Sequence, residues 1–194
     1  MTQKVDNNNT EINSQLNIGD NNGNIYLSPK TRFSKRFEKL NKEVVENERY
    51  EGVMDSLVHY LTKLDGVDMP TKMVDGGFED KAILEATRKK DKYAKKQEKN
   101  KYFESAQWID SQLFAKIKMD FETHVELPLV NKGASKEEIL CAVVEKVVKP
   151  VLELINVEGE NDGVLNYDAD DVYGMVYYLT GKCHLNWKNY GNSI

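Results

Sequence analysis

The residues with the widest chemical repertoire in this chain are two cysteines and three histidines, and their spacing limits what they can do. Cys183 and His184 adjoin, Cys141 lies far upstream in Leu140-Cys141-Ala142-Val143, and His59 and His124 belong to separate stretches. A zinc site needs several nitrogen or sulfur ligands, typically paired in short loops. This scatter does not supply them. A cysteine nucleophile needs a histidine base within hydrogen-bond reach, yet sequence neighbours rarely point at one another, and the apolar run around Cys141 predicts a buried, inert thiol. The chain has no P-loop, no Gly-x-Ser-x-Gly elbow, no His-Glu-x-x-His and no acidic constellation with a supporting lysine. Glu43, Glu46 and Glu48 read as a charged helix face. The expectation is a protein with no catalytic centre, no metal and no cofactor.

Two other clusters have the chemistry to bind. From Arg88 to Lys101 the chain carries Arg88, Lys89, Lys90, Lys92, Lys95, Lys96, Lys99 and Lys101 against only Asp91 and Glu98. On a helix, Arg88, Lys92, Lys95 and Lys99 line one face, a strip suited to phosphates or to an acidic partner. The acidic region from Glu153 to Asp171 is one such partner within the protein or its oligomer. The net charge of -5 argues against a surface built as a whole for nucleic acid or anionic membrane. Nucleic-acid binding through residues 88–101 therefore stands as the alternative reading.

The second cluster is apolar. Residues 11–18 alternate, with Ile12, Leu16 and Ile18 on one parity and Asn13, Gln15 and Asn17 on the other. Gly19-Asp20-Asn21-Asn22-Gly23 follows as a turn, after which Ile25 and Leu27 share a face again. The pattern predicts an Asn/Gly-rich β-hairpin. A lone two-stranded hairpin is marginal in water, because its edges leave backbone groups unpaired. Ile12, Leu16, Ile18, Ile25 and Leu27 are thus candidate oligomerisation residues and predict a homo-oligomer.

The elements that must position these residues are helical. Phe33, Phe37, Leu40 and Val44 form one apolar stripe, and Tyr50, Val53, Leu57, Tyr60, Leu61 and Leu64 a second, stopped at Asp65-Gly66. Val67 to Gly77, with Pro70, reads as a loop. A long helical region from Glu79 is expected to run on through Tyr102, Ala106, Ile109, Leu113, Ile117, Phe121 and Val125 until Pro128 and Gly133. Ser135-Lys136-Glu137-Glu138 is a capping box that opens a helix to about Ile155. That helix is apolar nearly all round, so it is expected at the centre of the bundle with a kink at Pro150. Asp168 reads as the N-cap of a last helix from Ala169 to Thr180, with Gly181 at a left-handed C-cap. The predicted fold is mainly α: a compact bundle of about five to six helices over residues 31–194, preceded by the hairpin region 1–30. With 194 residues, 40% hydrophobic and 30% charged, one domain with a real core is expected. The first residues lack the apolar core of a signal peptide, and no run approaches membrane-spanning length. Two cysteines are too few for a secreted disulfide scaffold. A cytoplasmic location is expected.

The stretch Val172-Tyr173-Gly174-Met175-Val176-Tyr177-Tyr178-Leu179-Thr180-Gly181-Lys182-Cys183-His184-Leu185-Asn186-Trp187 is distinctive. It resembles the closing Gly-Met-x-Tyr-Tyr-Leu-Thr-Gly-x-Cys-His-x-x-Trp stretch of C-terminal domains in third components of bacterial ABC-three-component systems, the group that includes Lamassu-type antiphage defence. Leu64-Asp65-Gly66, Tyr102-Phe103-Glu104-Ser105-Ala106-Gln107, Pro128 and Pro150 agree, so the resemblance spans approximately residues 31–190. It implies an SMC-like ABC ATPase and a middle component as partners. The third protein of such systems commonly joins an N-terminal effector to an assembly domain. Here only the hairpin region precedes the helices, so the resemblance implies docking and not effector activity. Within the motif, Gly174 is expected to admit a neighbouring helix, Gly181 to end its own, and Leu185 and Trp187 to fold back as an apolar lid.

Overall fold

Caps and apolar stripes divide the chain into eight α-helical segments in a computed structural model that describes residues 29–189. They are α1 (Arg32–Val45), α2 (Asp55–Leu61), α3 (Met69–Asp75), α4 (Asp80–Asn100), α5 (Glu104–Phe121), α6 (Lys136–Ala142), α7 (Lys149–Glu158) and α8 (Ala169–Gly181). A π-helical turn, Val143–Val148, joins α6 and α7 into one continuous rod. Seven separate helices result, where about five to six were expected, and no strand occurs among the described residues. No helix among them is long and apolar enough to cross a membrane. The predicted hairpin, with Ile12, Leu16, Ile18, Ile25 and Leu27, lies outside the described residues.

The centre of the bundle is α5, not the 136–158 rod. Helix α5 packs against α1, α2, α4, α7 and α8, and Ile109, Leu113, Phe114, Ile117 and Phe121 are all fully buried. The rod buries one stripe only, through Ile139, Val143, Val147, Val151 and Ile155. Leu140, Val144, Leu152 and Leu154 beside it are half-buried, and Cys141 and Val157 are exposed. The expectation of a buried Cys141 is corrected accordingly: an apolar run shows only how greasy a segment is, whereas the helical period decides which of its residues face inward.

Three boundaries differ from the sequence reading. Residues 67–77 are not all loop, because Asp68 caps α3 by accepting from the Thr71 N–H at 2.9 Å. Pro70 stands in the first turn, where its missing N–H costs nothing, and Met69 and Met73 are buried. Helix α2 is shorter than its stripe. Thr62 is extended, and the Leu64 N–H pairs with the Lys182 carbonyl at 3.2 Å. The long region expected from Glu79 breaks at Lys101–Phe103. There Gln107 Nε2 donates to the Lys101 carbonyl at 2.6 Å and the Tyr50 N–H to the Tyr102 carbonyl at 2.7 Å. Those tertiary bonds replace the helical ones the break gives up.

Other signals hold. Ser135 and Glu138 form the reciprocal capping box at α6, and Asp168 and Asp171 form another at α8. Pro128 and Pro150 each follow a π-helical turn, Glu122–Glu126 and Val143–Val148. The Leu127 N–H bonds the Glu122 carbonyl at 3.1 Å, and the Lys149 N–H bonds that of Val144. Proline cannot donate into an α-helical ladder, and the wider turn upstream changes the bonding pattern without ending the rod.

The most extensive helix contact is α4 against α8, and it depends on Gly174. A Cβ there would lie 2.5 Å from the Lys89 carbonyl oxygen and 2.7 Å from Tyr93 Cβ. Gly174→Ala should therefore destabilise the domain by about 1–3 kcal/mol in chemical denaturation, despite the roughly 1 kcal/mol by which Ala surpasses Gly in a helix. Gly181→Ala is the control: its Cβ would meet only Met69 Cβ at 3.6 Å, and stability should hold or rise slightly.

Candidate functional site

The α4 cations divide by direction. Lys89 Nζ lies 2.8 Å from Asp170, Lys92 2.8 Å from Asp168, and Lys96 2.5 Å from the fully buried Asp171. The acidic first turn of α8 thus takes up three lysines of the basic run, and its carboxylates also suit the positive end of that helix. Burial alone would raise the Asp168 carboxyl, but Lys92 and the Asp171 N–H hold it down at about 2. Of the predicted contact residues, Lys92 is engaged in this seam. Arg88 is exposed and pairs with Glu85 at 3.0 Å. Lys95 and Lys99 are exposed, with no ion pair among the described residues.

The end of α8 turns the signature stretch into packing. The left-handed residue is Cys183, with φ of 70°, not Gly181, which is the last residue of the helix. The Cys183 N–H bonds the Thr180 carbonyl at 3.0 Å and the His184 N–H bonds that of Leu179 at 2.9 Å. This is the paired closure of a helix C-terminus around a left-handed residue. Leu185 and Trp187 then fold back, both buried. Trp187 Nε1 donates to Thr180 Oγ1 at 3.0 Å, and its ring meets Phe78 and Phe121 at 5.1 and 5.2 Å.

Around that lid the reactive side chains are in structural use. Cys183 Sγ lies 2.6 Å from Asp65 Oδ1, and burial pushes its thiol up, away from thiolate. Lys72, also buried, reaches Asp65 Oδ2 at 2.9 Å and Asn186 Oδ1 at 3.0 Å. The His184 ring packs against His59 and Tyr60 at 5.1 and 5.5 Å, and burial lowers its pKa. No group of three His, Cys, Asp or Glu among the described residues could hold a metal ion.

The sequence reading missed a buried carboxyl. Asp110 on α5 is 3% exposed and accepts from Tyr167 Oη at 2.7 Å. The fully buried Tyr93 hydroxyl lies near the same group without a well-formed hydrogen bond. Burial raises Asp110 from 3.8 to about 7, outweighing the hydrogen bond from Tyr167 and the nearby Tyr93 hydroxyl. A cavity of 190 Å³ borders it, lined also by Leu57, Leu61, Gln97, Gln107 and Tyr178. The signal was legible: Asp110 stands at the apolar spacing of Ala106, Leu113 and Ile117, a charge inside a core stripe.

Asp110 sets a pH dependence. The folded chain keeps its proton up to about pH 7, whereas the unfolded chain releases it near pH 4. The group's contribution is therefore most favourable below about pH 4 and is lost as pH rises to about 7. Urea denaturation at intervals from about pH 4 to 8 should show wild type losing on the order of 2–4 kcal/mol relative to Asp110→Asn.

No curated protein and no solved structure matches the chain. A family model does, over residues 68–187, from the cap of α3 to the tryptophan of the lid. That span covers more than half the chain and includes the seam, the closing turn and the lid. The chain belongs to the family of C-terminal domain 9 of the ABC-three component (ABC-3C) systems.

Proposed function

We propose that this protein is a non-catalytic assembly subunit of an antiphage defence complex. Its helical domain docks onto an SMC-like ABC ATPase or the middle component, and its N-terminal hairpin drives self-association in the cytoplasm. The observation that carries this reading is the use made of the family's signature stretch. Gly174, Cys183, Leu185 and Trp187 are all spent on closing the fold, and a fold kept for its shape suits recognition by a fixed partner. The reading is tested by co-expression with the ATPase and middle component. Stable co-purification is expected, and deletion of residues 1–28 should lower the mass in light scattering while partner capture survives. A full-length monomer, or capture of neither component, would discard the corresponding half.

Exposed Lys95 and Lys99 favour a second reading, nucleic-acid contact. With Lys89, Lys92 and Lys96 drawn into the seam, few cations remain to neutralise phosphates, and a shallow salt dependence is expected. Low-salt binding assays with duplex and single-stranded DNA should show at most weak retention. Tight binding that Lys95→Glu with Lys99→Glu abolishes would reverse the order of the two readings.

A further inference from the structure

The cavity beside Asp110 combines features that a packed core does not need. Asp110 is a core-stripe carboxyl with one well-formed hydrogen bond, from Tyr167, among the described residues. Gln97, on the same wall, has a buried carboxamide nitrogen with no partner. A carboxamide presents oxygen in place of nitrogen after a half-turn, so Gln97 can accept as readily as donate. The lining has an aliphatic part, from Leu57 and Leu61 of α2, and Tyr178 belongs to it as well. Buried polar atoms left unpaired are costly, and in native proteins they call for an explanation.

We propose that this cavity receives a basic side chain, a lysine ammonium on its methylene stem, from a protein partner. Asp110 and Gln97 oxygens accept from the ammonium, and Leu57 and Leu61 sheathe the stem. The volume of 190 Å³ suits one side chain and not a whole cofactor. Glu98, Lys101 and Lys182 also line the cavity, and two of them are already engaged with each other. Lys101 pairs with Glu98, and Lys182 lies over the Tyr178 ring at 5.5 Å. All three are far more solvated than Asp110 and are screened accordingly. Val53, exposed and part of the cavity lining, gives a partner apolar surface to rest on. The inference rests on the docking proposed above only for the source of the side chain.

The full-length protein is to be titrated with n-pentylammonium chloride, following the methyl NMR signals of Leu57 and Leu61. Saturable binding is expected, roughly tenfold tighter at pH 8 than at pH 6 because Asp110 must be ionised to hold the cation. Neutral 1-pentanol should bind at least tenfold more weakly. Asp110→Asn, with folding checked by its melting curve, should weaken the ammonium at least tenfold. Leu61→Trp, which narrows the cavity without touching its charge, should do the same. Equal binding of pentanol, indifference to Asp110→Asn, or no saturation by about 100 mM would each overturn the proposal. Failure to bind the ammonium in a chain that still captures its partners would sink the cavity and leave the docking intact. A chain that binds it yet captures neither partner keeps the cation site and loses the docking.

Discussion

Backbone contact between α4 and α8 is the constraint on which the rest of the domain depends. Dispersion forces fade within an ångström of their optimum, so the approach at Gly174 fixes the distance between the helices tightly. At one end of α8 it brings the first-turn acids onto Lys89, Lys92 and Lys96. At the other it sets Gly181 on Met69 and lets the chain reverse at Cys183. Trp187 can close over Phe78 and Phe121 only because α8 stands where Gly174 allows.

The charged seam adds register more than stability. An exposed ion pair contributes at most about 1 kcal/mol, and a buried one commonly breaks even against desolvation. A rotation of α8 would nevertheless strand Asp171, which is fully buried and held by Lys96, Lys92 and its own capping box. The cost of an unpaired buried carboxylate thus selects one alignment among several that the apolar stripes alone would tolerate. The basic run of α4 has this internal role on one flank, whatever its outer lysines meet.

Much of this was readable from local rules. Ser135 with Glu138 and Asp168 before Ala169 announce helix starts, because the groups that satisfy the first backbone donors lie within four residues. The need for Gly174 at a close helix approach was equally visible. What escaped depends on distant partners. The break at Lys101–Phe103 is held by Gln107 and Tyr50, and periodicity alone runs straight through it. Cys183 adopts the left-handed conformation that Gly181 promised because its thiol and the residues after it are fixed by Asp65 and the lid. Cys141 misled through composition: its neighbours are apolar, but it occupies the outward position of its turn. The buried Asp110 was discernible as a charge in an apolar stripe, whereas its partner Tyr167, over 50 residues away, was not.

The start of α5 argues that the folding unit begins before the family stretch. Phe103 at its N-cap has no side chain to offer the first backbone donors. Glu43 of α1 does so instead: its carboxylate accepts from the Ser105 N–H at 3.0 Å and from Ser105 Oγ at 2.8 Å while 2% exposed. Lys39, 3.3 Å from Glu43 and 2.5 Å from Glu104, ties the two acids to one cation. A carboxylate at this end also meets the positive pole of the helix. Gln107 binds the segment between α1 and α2 through Gly52 and Met54. Helices α1 and α2 lie outside residues 68–187, yet they supply the cap and one wall of the central helix. A domain cut at the family boundary would leave the first turn of α5 with unsatisfied donors and the Leu57–Leu61 wall missing, so α1 and α2 are integral to the core and not a linker to it.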